Sequence, residues 1–212
     1  MQSALSIKPL PGEVNARKGG GMLARSFFQR DPRTVAQALL GSGLACGETA
    51  GKVVETEAYS TIDDPACHTA FRNQARDFVK KEKPGAAYIY LNYGVYHLLN
   101  ILTKAADGEL GFVLIRALEP VAGLERMRNR RGKSRAQDLC SGPGKLTIAL
   151  GIGPQFHGGD LCHPSSEIVF SKGAAGEPVL IGPRIGITKA ADFPWRYGLA
   201  SPHLSRPFPK AR

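Results

Sequence analysis

The chain is short of acids. Its 18 aspartates and glutamates face 28 lysines and arginines, which leaves a net charge of +10. Such an excess points to a polyanionic partner, either nucleic acid or an acidic membrane surface, with plain solubility as the alternative. Long apolar runs are also missing. None approaches the roughly 20 residues that a spanning helix needs, so no membrane-embedded segment is expected. The first residues, "MQSALSIKPLPGEV", carry neither a basic n-region nor an apolar h-region and do not read as a secretory signal. Cysteine is sparse: Cys46, Cys67, Cys140 and Cys162 show no spacing of the zinc type. Free thiols in a reducing, intracellular setting are the expectation. There is no internal repeat and no long linker, and 212 residues suffice for one domain with a real core.

What is there reads as alternating strands and short helices. Residues 1–22, with several prolines and "GGG", read as a flexible N-terminal tail. "RDPRTVAQALLGSGL" predicts a capped helix, with Asp31 as N-cap, Pro32 at the first helical position, Val35, Leu39 and Leu40 on one face, and Gly41 ending it. Residues 44–60 are strand-like around a turn at "CGETAG". "AAYIYLNYGVYHLLNILT" predicts a hairpin turning at "NYG", where Gly94 supplies positive φ. "GFVLIRAL" predicts a strand, "PVAGLERMRNR" a helix, and "PGKLTIAL" a short helix closed by Gly151; "EIVF", "VLIG" and "RIGIT" predict short strands. This order suggests an α+β fold with a largely antiparallel sheet.

The chemistry concentrates in "VVETEAYSTIDDPACH", Val53 to His68. Residues two apart on a strand share a face, so Glu55, Glu57 and Tyr59 project together. A carboxylate held rigidly beside an aromatic ring is a candidate general base toward water; an edge strand with solvated glutamates is the alternative. Asp63, Asp64 and His68 could join Glu57 in a metal site, but "DDP" is also ordinary turn chemistry. Tyr93, at the hairpin tip of a basic protein, is a candidate wedge for a base stack, or else a plain surface aromatic. Asn100 is polar among Leu98, Leu99, Ile101 and Leu102, and either satisfies a backbone group or faces a pocket. "RMRNRRGKSR" holds six basic residues, Arg128 and Arg131 among them, and reads as a phosphate-contacting surface or a solvated face. "SGPGKLT" fails the Walker A pattern and reads as a helix N-terminus with Lys145, suited to one phosphate.

Basic surface, wedge, aromatic cluster and carboxylate together match a base-flipping enzyme. The chain resembles the alkyladenine (3-methyladenine, or methylpurine) DNA glycosylases. The resemblance rests on "FFQRDPRTVAQALLG", "GKVVETEAY", "DDPACH", "YIYLNYGVYHLLN", "VLIRALEP", "GLERM", "LCSGPGKLTIAL", "RIGIT" and "PWRY", in order over roughly residues 26 to 206. It implies that Glu57 activates water against the anomeric carbon and that Arg116 helps hold that water and the neighbouring phosphate. Tyr59, His68 and Tyr90 would wall the flipped purine, the His68 amide would read its six-position, and Asn100 would crowd its two-position. Tyr93 would fill the gap in the duplex, and Glu55 would be a structural neighbour. The expected fold is α+β: a single domain over 23–206 with a curved, mostly antiparallel sheet, surrounding helices, a protruding hairpin and a short C-terminal tail at 207–212.

With no lysine placed as a Schiff-base nucleophile, the resemblance implies base release without strand cleavage. The expected enzyme is a monomer acting on double-stranded DNA with damaged purines. It would work beside the chromosome inside the cell (the cytoplasm, if bacterial), with no cofactor and no metal. Departures fall at "FRNQARDFVKK", where Asp77 replaces a usual asparagine, at Val95, and in a slightly short "PWRYGLASPHLS". Three other readings stay open: a glycoside hydrolase using Glu55 and Glu57 as a pair, a non-catalytic module that binds damaged DNA, and a metal-dependent nuclease.

Overall fold

Residues 43–60 build the centre of the molecule. Gly43–Cys46 (β1) and Thr49–Ser60 (β2) form a hairpin through Gly47, whose φ of 56° suits the tight turn. The structure, a computed structural model, describes residues 21–173 and 176–209. The tail expected over 1–22 therefore lies outside the described residues for 1–20, while Met22 bridges to Ser171.

Ala87–Asn92 (β3), Tyr96–Lys104 (β4) and Leu110–Ala122 (β5) continue the sheet on one side of β2; Ile168–Ser171 (β6) pairs with β1 on the other. Leu180–Gly182 (β7) and Arg196–Gly198 (β8) complete an eight-stranded antiparallel sheet. β2 is bonded along both edges: β5 runs its length, while β1 takes residues 49–52 and β8 takes 55–57. The sheet is curled into a half-barrel, and four α-helices lie around it among the described residues. The fold is α+β, as expected.

Asp31 caps Pro32–Ala38 (α1) by accepting from the Arg33 and Thr34 amides. Leu124–Arg131 (α3) and Pro143–Leu150 (α4) are present as well. Three local expectations change. The helix expected from Pro120 begins at Leu124, because Pro120–Ala122 still belongs to β5 and Gly123 makes the turn at a φ of 70°. "RIGIT" is a loop, since its polar groups are drawn to the site rather than to a neighbouring strand. Asn73–Lys81 (α2) forms where no helix was expected and buries Ala75, Phe78 and Val79. Past residue 206, the Phe208 ring still lies 3.8 Å from the Arg196 guanidinium.

The main core lies between sheet and helices and contains Phe28, Val35, Leu39, Val53, Ile101, Ile115, Leu146 and Phe170. A smaller aromatic core contains Phe78, Tyr88 and Phe112, with Tyr59 and Tyr90 against it. Between these two cores β2 changes face. The β2–β5 register shifts by one residue between Val53 and Glu55 and back between Glu55 and Thr56, so Val54 and Arg116 are the extra residues of two opposed bulges. Bulges of this kind re-aim side chains beside functional sites. Val53 stays in the main core while Glu55, two residues later, faces Arg116.

Candidate active site

The carboxylates expected from the sequence come together, but not as equals. β2 is an interior strand, and both Glu55 and Glu57 are 0% exposed, which excludes the solvated edge strand. Burying a carboxylate is costly unless donors compensate. Glu57 Oε2 accepts from the Tyr59 hydroxyl at 2.8 Å, and its Oε1 accepts from the Ile185 amide at 2.7 Å. Arg116 Nη1 lies 3.3 Å from Oε1. An ionised carboxylate offers about four lone-pair sites, so acceptor capacity remains beyond these partners. Burial, and then the charge of Glu57, hold the Tyr59 phenol well above its usual range, so it stays a donor. Burial opposes the charge on Arg116, but Glu57 and Glu55 outweigh it and hold the guanidinium above its ordinary value.

The three partners of Glu57 line a cavity of about 670 Å³, a volume suited to a small ligand, and Glu57 itself lies behind them. Tyr59, His68, Tyr88, Tyr90, Asn100 and Arg116 line it, and the hairpin tip Tyr93–Gly94 reaches its rim. His68 and Tyr90 are 4.2 Å apart between ring centres. His68 Nδ1 is 3.1 Å from the Tyr88 hydroxyl. Burial, helped by the charge of Arg72, pushes His68 down to about 4, so the ring is neutral at pH 7. Asn100 Nδ2 donates to the carbonyls of Tyr88, at 3.3 Å, and Leu98, at 3.5 Å. It therefore satisfies backbone groups and lines the cavity at once.

Tyr93 is 86% exposed and has a φ of 49°. Beside it Leu91, Val95 and Tyr96 are exposed too, so the hairpin presents an apolar tip. α4 begins next to the mouth: Pro143 lines the cavity, and the helix has no side-chain cap at Gly142. The exposed Lys145 reaches Ser141 Oγ at 3.4 Å. Arg128 and Arg131 stand elsewhere. Arg128 pairs with Glu125 and donates to Ser134 O at 2.9 Å, while Arg131 donates to Leu139 O at 3.2 Å. Both brace the loop after α3, and neither lines the cavity.

Of the residues named for a metal site, Glu57 and Asp64 are already bonded within the protein. Arg184 holds Asp64 through both carboxylate oxygens, at 2.6 and 2.8 Å. Among the described residues no group of three or more His, Cys, Asp or Glu side chains is placed to hold an ion. The acid–base pair of a glycoside hydrolase fails for a different reason: Glu55 is locked by Arg116, Arg196 and Ser205.

Sequence reasoning assigned no role to four contributors. Arg184 pins Asp64 and lies 4.6 Å from the Tyr59 ring centre. Ile185 supplies an amide to Glu57. Phe71 and Arg72 line the mouth, with Arg72 5.6 Å from the Tyr90 ring centre. The one available signal was charge balance. Buried Glu55, Glu57 and Asp64 demand more than one cation, and "RIGIT" and "PWRY" each carry an arginine.

A cleft walled by aromatic rings, backed by a buried carboxylate held by three of its lining residues and rimmed by an apolar hairpin fits a base-processing enzyme of the glycosylase type. Residues 26–203 match the family described as Methylpurine-DNA glycosylase (MPG). A Rhodopseudomonas palustris (strain HaA2) protein named "Putative 3-methyladenine DNA glycosylase" is 44% identical over 210 residues, 98% of this chain and 100% of its own length. Proteins of the same name from Nitrosospira multiformis and Chlorobaculum parvum are 46% identical over 182 residues and 39% identical over 189. These alignments cover 85% and 86% of this chain and 92% and 90% of the relatives. The chain belongs to the methylpurine-DNA glycosylase family, and it is a DNA glycosylase.

Proposed function

We propose that the enzyme flips an alkylated or deaminated purine out of duplex DNA and hydrolyses its N-glycosidic bond with a water activated by Glu57. The observation that carries this reading is the buried Glu57 carboxylate, held by Tyr59, Ile185 and Arg116, three residues that themselves line an aromatic cavity. The purine stacks among Tyr59, His68 and Tyr90, with Asn100 against its two-position and the His68 amide at its six-position. Tyr93 enters the stack where the nucleotide left it. The α4 N-terminus with Lys145 supports a phosphate contact beside the mouth, and the basic α3 surface with Arg128 and Arg131 adds attraction to the backbone.

The chemistry is one of charge. The departing base leaves an oxocarbenium-like sugar, which the Glu57 carboxylate stabilises, and the same group takes the proton of the attacking water. The water oxygen bonds to the anomeric carbon as the carbon–nitrogen bond breaks and the electron pair leaves with the purine. N3- and N7-alkylated purines are cationic and depart readily. Among the described residues no lysine lines the cavity, which supports base release without strand cleavage. The named relatives support 3-methyladenine as one substrate. The enzyme acts as a monomer on chromosomal DNA inside the cell and needs no cofactor.

The test is base release from duplexes carrying hypoxanthine or an alkylated purine, in EDTA, followed by alkaline heating. Wild type leaves alkali-labile sites and no breaks before alkali. Dependence on a divalent ion, or damaged-DNA binding with no release from any duplex, sinks the reading.

A further inference from the structure

Glu55 is the acid that the proposed reaction does not use, yet it is the more heavily bonded of the two. Its Oε1 accepts from Arg196 Nε at 2.7 Å, Ser205 Oγ at 2.8 Å and Arg116 Nε at 3.2 Å. Its Oε2 accepts from the Ser205 amide at 2.6 Å. Arg116 and Arg196 already offset the charge of a carboxylate removed from solvent, and the Ser205 amide satisfies Oε2. The Ser205 hydroxyl is surplus to that need.

What the hydroxyl adds is a link. While donating to Glu55 it lies 3.4 Å from both Nε and Nη2 of Arg116 and accepts from them. Arg116 Nη1 is 3.3 Å from Glu57. One serine on the C-terminal segment thus joins the unused carboxylate to the guanidinium that borders the reacting one. The segment is itself held, because Arg196 Nη2 donates to the carbonyls of Arg206 and Pro207 and the Phe208 ring covers the Arg196 guanidinium. An arginine has several rotatable bonds, and a preorganised site depends on removing that freedom before the substrate arrives.

We propose that Ser205 is a positioning residue for base excision, fixing Arg116 at its distance from Glu57 through a hydroxyl shared with Glu55. The proposal rests on the reading of Glu57 and Arg116 given above. Ser205→Ala removes the hydroxyl and keeps the amide; Ser205→Thr keeps both.

The test is single-turnover release of hypoxanthine with enzyme in excess, alongside binding of the same duplex. Ser205→Ala slows release about tenfold, the worth of roughly one net hydrogen bond. Its dissociation constant stays within about twofold of wild type, because an interaction needed at the reaction step and not in ground-state binding has been removed. Ser205→Thr recovers most of the rate. A second readout needs no activity: the Arg116 Nε–H resonance, identified by its loss in Arg116→Lys, exchanges with water faster in Ser205→Ala. Release at the wild-type rate with unchanged exchange overturns the proposal, as does an equal loss in Ser205→Ala and Ser205→Thr. A wild-type protein that releases no base contradicts the reading of Glu57 instead, and the exchange measurement still decides the role of Ser205.

Discussion

At position 93 a tyrosine holds a backbone conformation better suited to glycine or asparagine. That conformation costs about 1 kcal/mol in a residue with a Cβ, and an exposed ring recovers nothing from the core. The return must come from outside the folded chain. Tyr93→Asn is expected to leave the melting temperature unchanged or higher while weakening binding to a lesion duplex about tenfold, within the range for loss of one stacked aromatic; calorimetry and a binding titration check the two halves. His68 provides a second residue-scale prediction. Burial and Arg72 hold it at about 4, below the 6.5 of an unperturbed histidine. Because the unfolded chain takes up the proton first, the contribution of His68 to stability is full above about pH 6.5 and is lost as pH falls toward 4. Denaturant midpoints between pH 7 and 4 therefore fall further for wild type than for His68→Gln, and equal falls contradict the burial.

At the scale of elements, β2 carries Glu57 into the site while a loop pins the element around it. Arg184 clamps Asp64, donates to the Ala58 carbonyl at 3.0 Å and lies over Tyr59, while the next residue bonds Glu57. Removing one partner of a buried ion pair leaves the other uncompensated. Asp64→Ala should destabilise the protein by about 3–5 kcal/mol, measured by urea unfolding, and a loss below about 1 kcal/mol would show the pair to be dispensable. The elements legible in the sequence were those with local causes: the Asp31–Pro32 cap, the "NYG" hairpin, and the glycine that closes α4. α2 escaped notice because only Ala75, Phe78 and Val79 are buried on an otherwise polar segment, so docking rather than composition defines it. "RIGIT" alternates like a strand, but its first side chain and second amide are spent on Asp64 and Glu57. Of the residues named from the motifs, Tyr59, His68, Tyr90, Asn100 and Arg116 line one cavity, and Glu57 lies behind Tyr59 and Arg116. The pairing of Ser205 with Glu55 was not legible, because 150 residues separate the partners and nothing local marks Ser205.

At the scale of the molecule, several distant stretches meet at one cleft. The hairpin gives the rim, α2 the aromatic backing, α4 a helix terminus, and residues 185–187 a further part of the lining. A net charge of +10 supplies attraction to DNA that does not depend on sequence, so affinities depend steeply on salt and need a stated salt concentration. The proposed function turns on Glu57 acting on a flipped base and not on a paired one. The direct measurement is a stopped-flow experiment on a duplex containing fluorescent ethenoadenine, comparing wild type with Glu57→Gln and assaying base release in parallel. The account predicts that both proteins change the fluorescence as the base enters the aromatic cavity. Only wild type then releases it, the variant being slower by about 10²-fold or more. Release by Glu57→Gln at a rate near wild type would contradict the role assigned to Glu57.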